Sequence, residues 1–460
     1  MKIVFNRFNG ILPRVNVGLK PDNCAKVAWN CDLRDGRLRP LKQALSVSSD
    51  YPVVNADYTD ADAGGDVKCL KFVHRVSGDV ILWWASEKEV AEVNIDASNE
   101  YRCIVSGYDV NAGDPAYIAR YQVGSSVNSK PSVTSLIKLR LAAPSAIIQF
   151  VQGLANSYTT FVQTWVDGNG FESPLSEPSA ILNYFDDGTI SDWIQIAQTT
   201  SPIGAVSRRI YKSLTDSAGA GEYQFVYEQP ASAGAFPTLT LNLLDKDAGD
   251  VAPDFDNPPA TLGGIVSVYG GFYAGFDLKT RREILCSDVD LPYVYPLAYR
   301  YPTMDQTVVK LSSYGNSILA LTDDIPLVLT GTSPDMMTLA STATHAPCVS
   351  RRSVIQIGAS VVFCSDDGLY TIPISGETQV TNLTLNNFDR RAWRLLHPET
   401  SFGVANNNQV FMWFPDAVDP VLRCQRYIFD DGLSAATTHD EICEAAVVIP
   451  SRGVVMLRRA

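Results

Sequence analysis

The chain is patterned as short apolar runs that Gly, Asn and Asp interrupt at close intervals. β-Branched and aromatic residues dominate these runs, as at 80–84, 161–166, 361–364 and 410–414. Runs of this length and composition, bounded by turn residues, are typical of β-strands. The pattern therefore predicts strands along almost the whole chain.

Helical periodicity is confined to two short segments. Within 386–396, Phe388, Trp393 and Leu396 recur on one face of a helix, and 21–30 is a second candidate. An α/β fold needs a helix between successive strands, and the sequence has no helical pattern at those places. The sequence therefore predicts an all-β protein.

Five hairpin turns repeat at a near-constant interval. Each turn joins two apolar strands, and the intervals between neighbouring turns are 45, 43, 48 and 47 residues. Because a four-stranded propeller blade takes roughly 40–50 residues, this spacing predicts a series of blades. The anchors of the five turns are Gly270, Gly315, Gly358, Asn406 and Gly453.

Earlier blades are predicted from a further copy at Gly78 and a weaker one near Gly124. Gly78 lies 192 residues before Gly270, and setting aside the 111 residues of 146–256 leaves 81, enough for about two short blades. The expected fold is thus all-β: a β-propeller of six or seven blades with an inserted β-sandwich domain. An irregular β-sandwich whose turns recur by chance is the alternative.

Closure of the ring is predicted from the end of the chain. The last repeat holds only two strands. A ring leaves no open sheet edge only if its first and last strands meet. We therefore expect strands near residues 33–41 to complete the blade of 445–458.

Residues 146–256 have the pattern of a separate module. Seven or so short alternating strands in about 100 residues are typical of an immunoglobulin-type sandwich. The strings 158–179, 208–213 and 223–228 resemble fibronectin type III domains, although no Cys pair joins the two sheets. The predicted organisation is a basic N-terminal arm with closing strands (1–45), the first part of the propeller (46–145), the inserted sandwich (146–256) and the second part of the propeller (257–460).

Composition and charge exclude several classes of protein. With 46% hydrophobic residues and a net charge of −13, the chain is not mainly disordered. No apolar run approaches the roughly 18 residues of a spanning helix. The first residues lack the apolar core of a secretory signal, so we expect synthesis and folding in the cytoplasm.

The charge is also unevenly distributed. Segment 1–45 carries a net charge of +6, segment 146–256 carries −10, and the remainder carries −9. This asymmetry predicts different partners for the basic arm and the acidic module, with plain solvated surfaces as the alternative.

The nine cysteines are spread along the chain without any CxxC pair. A zinc site needs closely spaced thiolates or imidazoles, so the spacing argues against one. The sequence predicts buried free thiols that pack as small apolar residues. Their positions are Cys24, Cys31, Cys69, Cys103, Cys286, Cys348, Cys364, Cys424 and Cys443.

No catalytic motif stands out. The histidines His74, His345, His397 and His439 are isolated, and no Gly-x-Ser-x-Gly elbow, P-loop or dinucleotide fingerprint occurs. The acidic pattern at 245–256 resembles a calcium loop but lacks the bidentate Glu, which favours a solvated linker. We therefore expect a protein that is not an enzyme and has no catalytic, cofactor-binding or metal-binding residue.

Two regions carry a family resemblance. Residues 9–43 lead from Asn-Gly-Ile-Leu-Pro to Asn-Cys-Asp-Leu-Arg-Asp-Gly-Arg-Leu-Arg-Pro. Residues 275–369 contain, in order, Ile-Leu-Cys-Ser-Asp, Asn-Ser-Ile-Leu-Ala-Leu-Thr-Asp-Asp and Ser-Asp-Asp-Gly-Leu. These strings resemble tail hub, or nozzle, proteins of short-tailed bacteriophages, in which a propeller body carries an inserted fibronectin-like module.

The resemblance implies a structural protein of the virion tail, assembled in the host cytoplasm. Such proteins form a ring, expected here to be a homohexamer, below the portal and adaptor proteins. They anchor tail fibres or spikes, and they conduct genomic DNA without sequence recognition or membrane insertion.

The charge of the chain is compatible with a conduit. An acidic tube repels phosphates and would let DNA slide with few contacts, while the basic arm could pair with an acidic adaptor surface. The turn acids that could line such a channel are Asp323, Asp324, Asp366, Asp367, Asp430 and Asp431.

A carbohydrate-binding propeller is the alternative from another class. It would use tryptophan rings as platforms for sugars, and a glycosidase, the third hypothesis, would need a carboxylate pair in a cleft. The candidate platforms are Trp83, Trp84, Trp165 and Trp413.

Overall fold

The computed structural model describes most of the chain in separate stretches. The described residues are 28–32, 39–40, 53–55, 67–73, 80–93, 100–108, 116–122, 132–138, 143–145, 147–152, 157–168, 170–180, 182–184, 193–202, 204–213, 222–242, 249–252, 258–259, 261–374, 380–384, 388–407, 409–430, 433–439, 442–450 and 453–457.

The chain divides into two compact units. The first consists of Met1–Leu136, Thr261–Asp290 and Tyr299–Ala460, and the second of Ile137–Ala260 and Leu291–Ala298. The first unit is called the propeller below and the second the sandwich. The predicted module, 146–256, falls inside the second unit.

The strands that precede the sandwich are short and belong to the propeller. They are β1 (Cys31–Asp32), β2 (Arg39–Pro40), β3 (Val53–Asn55), β4 (Cys69–Val73), β5 (Val80–Trp84), β6 (Lys88–Glu92), β7 (Glu100–Gly107), β8 (Tyr117–Gln122) and β9 (Ser132–Lys138).

Ten strands follow in the second unit. They are β10 (Phe150–Gln152), β11 (Ser157–Thr159), β12 (Phe161–Asp167), β13 (Leu182–Tyr184), β14 (Trp193–Ile196), β15 (Thr199–Thr200), β16 (Ala205–Ser213), β17 (Tyr223–Pro230), β18 (Ala235–Phe236) and β19 (Leu239–Asn242).

The remaining strands return to the propeller. They are β20 (Leu262–Val268), β21 (Phe272–Asp277), β22 (Glu283–Cys286), β23 (Arg300–Pro302), β24 (Val308–Tyr314), β25 (Ser317–Thr322), β26 (Leu327–Thr330), β27 (Thr338–Ser341), β28 (Ile355–Ile357), β29 (Ser360–Cys364), β30 (Leu369–Pro373), β31 (Thr381–Asn382), β32 (Phe402–Asn406), β33 (Gln409–Trp413), β34 (Cys424–Asp430), β35 (Leu433–Thr438), β36 (Ala445–Ile449) and β37 (Gly453–Leu457).

The helical elements are few and short. The α-helix α1 spans Arg390–Arg394, and single 3₁₀ turns occupy Leu297–Tyr299, Arg351–Ser353, Pro398–Thr400 and Pro420–Leu422.

Apart from the short pair β1–β2, the described propeller strands form seven successive sheets, or blades. In chain order the blades are β3–β5–β4, β6–β9, β20–β23, β24–β27, β28–β31, β32–β35 and β36–β37. The innermost strands are neighbours: β6 packs against β20, β20 against β24, β28 against β32, and β32 against β36. Because β36 also packs against β4, the series closes on itself. The predicted β-propeller with an inserted β-sandwich is confirmed, with seven blades.

The repeated turns have the same place in the last five blades. Gly270, Gly315, Gly358 and Gly453 each lie in the hairpin between the first and second strand, with φ of 104°, 56°, 56° and 96°. In the sixth blade this hairpin holds Asn407, with φ of 54°. Positive φ favours Gly and is tolerated by Asn, so one backbone requirement produces the repeat seen in the sequence.

The weaker repeat near Gly124 is wrong. That position lies between β8 and β9, whereas the first hairpin of the second blade joins β6 to β7, between Glu92 and Glu100. The turn at Gly78 does join β4 to β5, although the glycine itself lies outside the described residues.

The C-terminal hairpin is held on both sides by apolar packing. Towards the first blade, Ile449 of β36 packs with Ile81, and towards the sixth blade Cys443 packs with Trp413. The described N-terminal residues contact the sixth blade instead: Trp29 bridges Thr438 of β35. Within 33–41, Arg39–Pro40 pairs with β1. The pairing of the other residues of 33–41 with 445–458 stays a prediction, because they lie outside the described part of the chain.

The helix predicted over 386–396 is confirmed as α1. The carboxylate of Asp389 caps it by accepting the N–H of Ala392 at 2.7 Å. Its apolar face buries Phe388, Trp393 and Leu396 in the core between the fifth and sixth blades. The helix predicted over 21–30 is wrong at its end, because Trp29 forms a β-bridge.

Gly264 lies where β20 bulges, and it has a φ of 60°. A Cβ atom there would overlap the ring of Phe276. Gly264→Ala therefore adds a core clash to left-handed backbone strain, and we expect it to lower the free energy of unfolding by about 2–3 kcal/mol. Gly315→Ala is the matched control: its φ is 56° with open space around the added atom, so we expect a loss of about 1 kcal/mol. Urea unfolding compares the two variants, and equal losses would contradict the packing argument.

Eight cysteines fall among the described residues, and all are free thiols. Six are buried, which confirms that these act as small apolar side chains, and Cys31 and Cys69 are half-buried. Burial raises the pKa of Cys286 to about 12, and it does the same for Cys348 and Cys364.

Stability should consequently fall at alkaline pH. In the unfolded chain these thiols ionise near their ordinary pKa of 9.0, whereas in the folded chain they stay neutral to about 12. Unfolding then releases protons, so the free energy of unfolding decreases as pH rises from about 9 towards 12, by roughly 1–2 kcal/mol per thiol at pH 10.5. Urea titrations at pH 8 and pH 10.5 measure the decrease. Cys286→Ala should make it smaller, and an unchanged difference would refute the linkage to this thiol.

The second unit is a two-sheet sandwich. Its main sheets are β10–β14–β19 and β12–β16–β17, and the pairs β11–β13 and β15–β18 accompany them. Ile196 and Leu241 from the first sheet meet Phe161 and Ile210 from the second in one buried core. The polar, Pro-rich segment after β12 has a structural role of its own.

A ladder of three serines covers the outer edge of β12. Ser173, Ser176 and Ser179 recur at every third position, which suits an extended polyproline II backbone. Each serine N–H donates to a strand carbonyl, and each Oγ accepts an N–H from the same strand residue. The strand residues bonded are Trp165, Gln163 and Phe161. The ladder therefore occupies the hydrogen-bonding groups that an open edge would offer to another chain.

Candidate functional site: the axial cavity of the propeller

The inner strands of the propeller surround a cavity of about 230 Å³. Its wall contains the beginnings of β4, β6, β32 and β36, together with Lys310 of β24 and the 3₁₀ turn at Arg351–Ser353. All of these strands start at the same end of the ring, so the cavity lies on the propeller axis at that end. We call it the axial cavity.

A second cavity of about 230 Å³ lies beside it, between β6, β20, β24 and β28. It shares Glu89, Lys310 and Val354 with the axial cavity. Its other polar lining includes Ser313 and Gln356, and the Gln356 side-chain amide donates to the Ser313 carbonyl at 3.1 Å. The inside of the ring is therefore polar beyond the axial cavity as well.

The axial cavity is cationic in an acidic protein. Five basic and two acidic side chains line it, an excess of three positive charges. The chain as a whole carries a net charge of −13. The seven side chains are Lys68, Glu87, Lys88, Glu89, Lys310, Arg351 and Arg352.

Two ion pairs join blades that are not neighbours. Glu89 on the second blade lies 3.2 Å from Nζ of Lys310 on the fourth blade. Glu87, just before the second blade, lies 3.1 Å from Nε of Arg351, just before the fifth. The first pair spans the third blade, and the second joins segments that are three blades apart in the ring. Both pairs therefore link blades across the inside of the ring.

Tyr108 supports both ion pairs. Its hydroxyl donates to Oε2 of Glu89 at 2.9 Å, and the Arg351 guanidinium lies 4.6 Å from its ring centroid. Burial, and then the Glu89 carboxylate, raise the pKa of Tyr108 well above its ordinary value, so the hydroxyl keeps its proton. Tyr108 therefore acts as a hydrogen-bond donor and an aromatic support.

Arg352 is a half-buried cation of the lining that forms no ion pair with a carboxylate among the described residues. Its Nη2 donates to the Glu444 carbonyl at 2.7 Å, and its guanidinium lies 4.5 Å from the Phe402 ring centroid. Burial lowers the pKa of Arg352. The guanidinium is therefore held by a carbonyl and an aromatic face.

The histidines that the sequence singled out have separate local neighbours. His345 lies 3.0 Å from Asp324, and His397 lies 2.9 Å from Glu399. His439 is buried edge-on against Trp413 and Phe411. His74 lies outside the described residues.

The turn acids also have local partners. Asp323 accepts the N–H of Thr307, and Asp366 pairs with Arg390. Neither of these acids, nor Asp324 or Asp367, is among the residues that line the axial cavity. Whether they line a channel between assembled copies stays a prediction. Asp430 ends β34, and Asp431 lies outside the described residues.

Tryptophan burial bears on the carbohydrate hypothesis. Trp84, Trp165 and Trp413 are at most 5% exposed, so their faces are not available as sugar platforms. Only Trp83 is half-buried. The hypothesis is wrong for the three buried rings, because they serve the hydrophobic cores.

The described stretches hold neither a cluster of metal ligands nor a membrane-spanning helix. In the described stretches, no group of three or more His, Cys, Asp and Glu side chains is arranged to hold a metal ion. Most of the acidic residues of 245–256 lie outside those stretches. No helix of the described chain is long and apolar enough to span a membrane.

Sequence patterns did not reveal the axial cavity. Its charged residues occur as the pieces Glu87-Lys88-Glu89 and Arg351-Arg352, which lie 264 positions apart at their first residues. The one available signal was their place: both pieces stand where a strand begins, and strand beginnings meet at one end of a propeller.

Comparisons with known proteins find distant likenesses among solved structures. No family model matches the chain, and no curated protein does. Among solved structures, the WD40 domain of Neurospora crassa Pan2 is 7% identical over 79% of this chain and 84% of that one, with a TM-score of 0.29. AztD from Citrobacter koseri is 12% identical over 74% and 94%, with a TM-score of 0.26. Hsv2 from Kluyvelomyces marxianus is 8% identical over 74% and 95%, with a TM-score of 0.24. At these TM-scores the likenesses carry no argument about function.

Proposed function

We propose that the chain is a structural protein of a bacteriophage tail, of the tail hub or nozzle class. The observation that carries the proposal is the architecture: a propeller whose chain is interrupted by a β-sandwich between its second and third blades. This is the arrangement that the resemblance at 9–43 and 275–369 implies. The proposed partners are further copies of the chain in a sixfold ring, the portal and adaptor proteins, and tail fibres or spikes.

The axial cavity refines the proposal. Since the Glu87–Arg351 and Glu89–Lys310 ion pairs link non-neighbouring blades across the inside of the propeller, these side chains narrow its interior. A DNA conduit would therefore be formed between copies of the chain and not through one propeller. The acidic character needed to keep DNA mobile would then come from surfaces that face the centre of the assembled ring.

The chain's serine ladder is consistent with an assembling protein. The outer edge of β12 is occupied by Ser173, Ser176 and Ser179, so uncontrolled pairing through this edge is prevented. Copies would then associate through side-chain surfaces in a defined geometry, as a closed ring requires.

Imaging of the purified chain tests the proposal. We expect negative-stain images to show rings with sixfold symmetry, and analytical ultracentrifugation to give a mass near six copies at micromolar concentration. The charge-neutral variants His345→Ala and His397→Ala should assemble as the unmodified chain does, because both histidines have only local partners. A folded monomer that does not assemble and binds on a glycan array would overturn the proposal in favour of the carbohydrate-binding alternative.

A further inference from the structure

We propose that the axial cavity binds a small phosphate-type oxyanion, either free phosphate or the phosphate group of a small molecule. The proposal concerns a single propeller and is independent of the tail-hub function. It rests on the charge of the lining, on a buried donor without a partner, and on the size of the cavity.

Both carboxylates of the lining have a cationic partner. Glu87 pairs with Arg351, although its Oε2 forms no hydrogen bond within the described residues, and Glu89 pairs with Lys310 and accepts the Tyr108 hydroxyl. Within the described residues, neither Lys68 nor Arg352 forms an ion pair with a carboxylate. The positive charges of Lys68 and Arg352 are thus not balanced inside the cavity, and a multivalent anion would balance them.

One guanidinium donor in the lining lacks a hydrogen-bond acceptor among the described residues. Nη1 of Arg351 is buried and has no hydrogen-bond partner within the described part of the chain. Buried donors are nearly always paired, and a missing partner points to a bound ion or ligand. The neighbouring Arg352 uses Nη2 on the Glu444 carbonyl, so donors remain on a second guanidinium as well. Adjacent guanidinium groups are well suited to phosphate oxygens, which they bind in pairs of parallel hydrogen bonds.

Burial and neighbouring charge also affect the arginines around the cavity. Burial lowers the pKa of Arg352, and burial followed by the charge of Arg351 lowers the pKa of Arg281. Nη2 of Arg281 donates to the Tyr108 carbonyl, so this third guanidinium stands beside the same cluster. A bound anion would offset the repulsion between Arg281 and Arg351.

The size of the cavity selects a small ligand. Its volume of about 230 Å³ is several times the roughly 30 Å³ that a water molecule occupies. It is also below the roughly 300–1,000 Å³ typical of sites for drug-sized ligands. Phosphate therefore fits better than a nucleotide, and a DNA duplex is too wide to enter.

Calorimetry with the full-length chain tests the proposal. Sodium phosphate is titrated at an ionic strength held constant with sodium chloride, and glycerol phosphate is titrated in a second arm. Binding of both means that the phosphate group is recognised, and binding of inorganic phosphate alone means that the free ion is the ligand. Absence of binding in both arms would overturn the proposal.

Two variants locate the site. Arg352→Gln removes a guanidinium, and Lys68→Glu reverses a charge on an exposed lining residue whose change leaves the core intact. We expect each variant to bind phosphate about tenfold more weakly or worse, because losing a charge-assisted hydrogen bond or a cation lowers the affinity by about that factor. Arg391→Gln, an exposed arginine on α1, is the matched control and should change the affinity less than twofold. If Lys68→Glu binds phosphate as tightly as the control does, the site is not in the axial cavity.

Discussion

Trp393→Ala should lower the free energy of unfolding by about 3–5 kcal/mol, which is the upper range for removing a buried aromatic side chain. Trp393 is 0% exposed. Its ring packs edge-on against Phe388 and Phe414, with centroids 5.9 and 5.7 Å away. Its indole N–H donates to the Ser365 carbonyl at 2.8 Å. The substitution therefore leaves a cavity and an unpaired carbonyl where α1 meets the fifth and sixth blades.

Leu395→Ala is the matched control for this prediction. Leu395 lies two positions away and is 50% exposed, so we expect a loss below about 0.5 kcal/mol. Urea unfolding followed by far-ultraviolet circular dichroism measures both variants. A loss for Trp393→Ala no larger than that of the control would show that α1 does not contribute to the propeller core.

Glu172→Ala should destabilise the sandwich by about 3–5 kcal/mol, since it removes a buried carboxylate from charged and hydroxyl partners. Glu172 is 3% exposed. It accepts hydrogen bonds from Thr164 at 2.5 Å and from the Tyr211 hydroxyl, and it pairs with Arg209 at 2.8 Å. Burial, followed by this carboxylate, raises the pKa of Tyr211, so its hydroxyl keeps its proton and donates to Glu172. In Glu172→Ala that hydroxyl loses its acceptor.

Glu228→Ala tests whether burial is the cause. Glu228 pairs with the same Arg209 at 3.1 Å, but its side chain is 41% exposed. An exposed ion pair contributes little, so we expect a loss of at most about 1 kcal/mol. Hydrogen exchange of the β12 and β16 amides, measured beside thermal unfolding, reports on the sandwich itself. Similar losses for the two variants would contradict the dominant role of the buried carboxylate.

The blade repeat was predictable because it is local. In the last five blades the first hairpin needs positive φ, and Gly or Asn at that position marks it in the sequence. The pattern failed near Gly124, a position that lies between the third and fourth strands of the second blade. Turn residues identify a hairpin but do not tell which pair of strands within a blade it joins.

The helix around Trp393 and the buried thiols were predictable for a similar reason. An apolar face at helical spacing and an N-terminal Asp define α1 without help from distant residues. Cysteines without metal spacing fit a core as small apolar side chains. Trp84, Trp165 and Trp413 show the limit of this reasoning, because an aromatic residue in a strand has no local signal for the face of the sheet on which it lies.

The net charge of the chain gave no information about the axial cavity. A net charge sums over the whole surface, whereas the cavity collects only the residues at which inner strands begin. Glu87 and Arg351 meet there because each stands just before the inner strand of its blade, the second blade for Glu87 and the fifth for Arg351, and the ring brings these strand beginnings together. That proximity depends on the number and order of blades, so it has no counterpart in the spacing of the two residues along the chain.

The sequence by itself determined the strands, their grouping into repeats, the inserted module and the one α-helix, since these follow from side-chain periodicity and backbone preference within a few residues. Only the tertiary structure decided that there are seven blades, that apolar packing of β36–β37 against β4 and β32 closes the ring, and that a cationic cavity lies on its axis. The physical reason is the range of the interactions. Periodicity acts between neighbours in the chain, whereas burial and charge pairing act between residues that only the closed ring brings together.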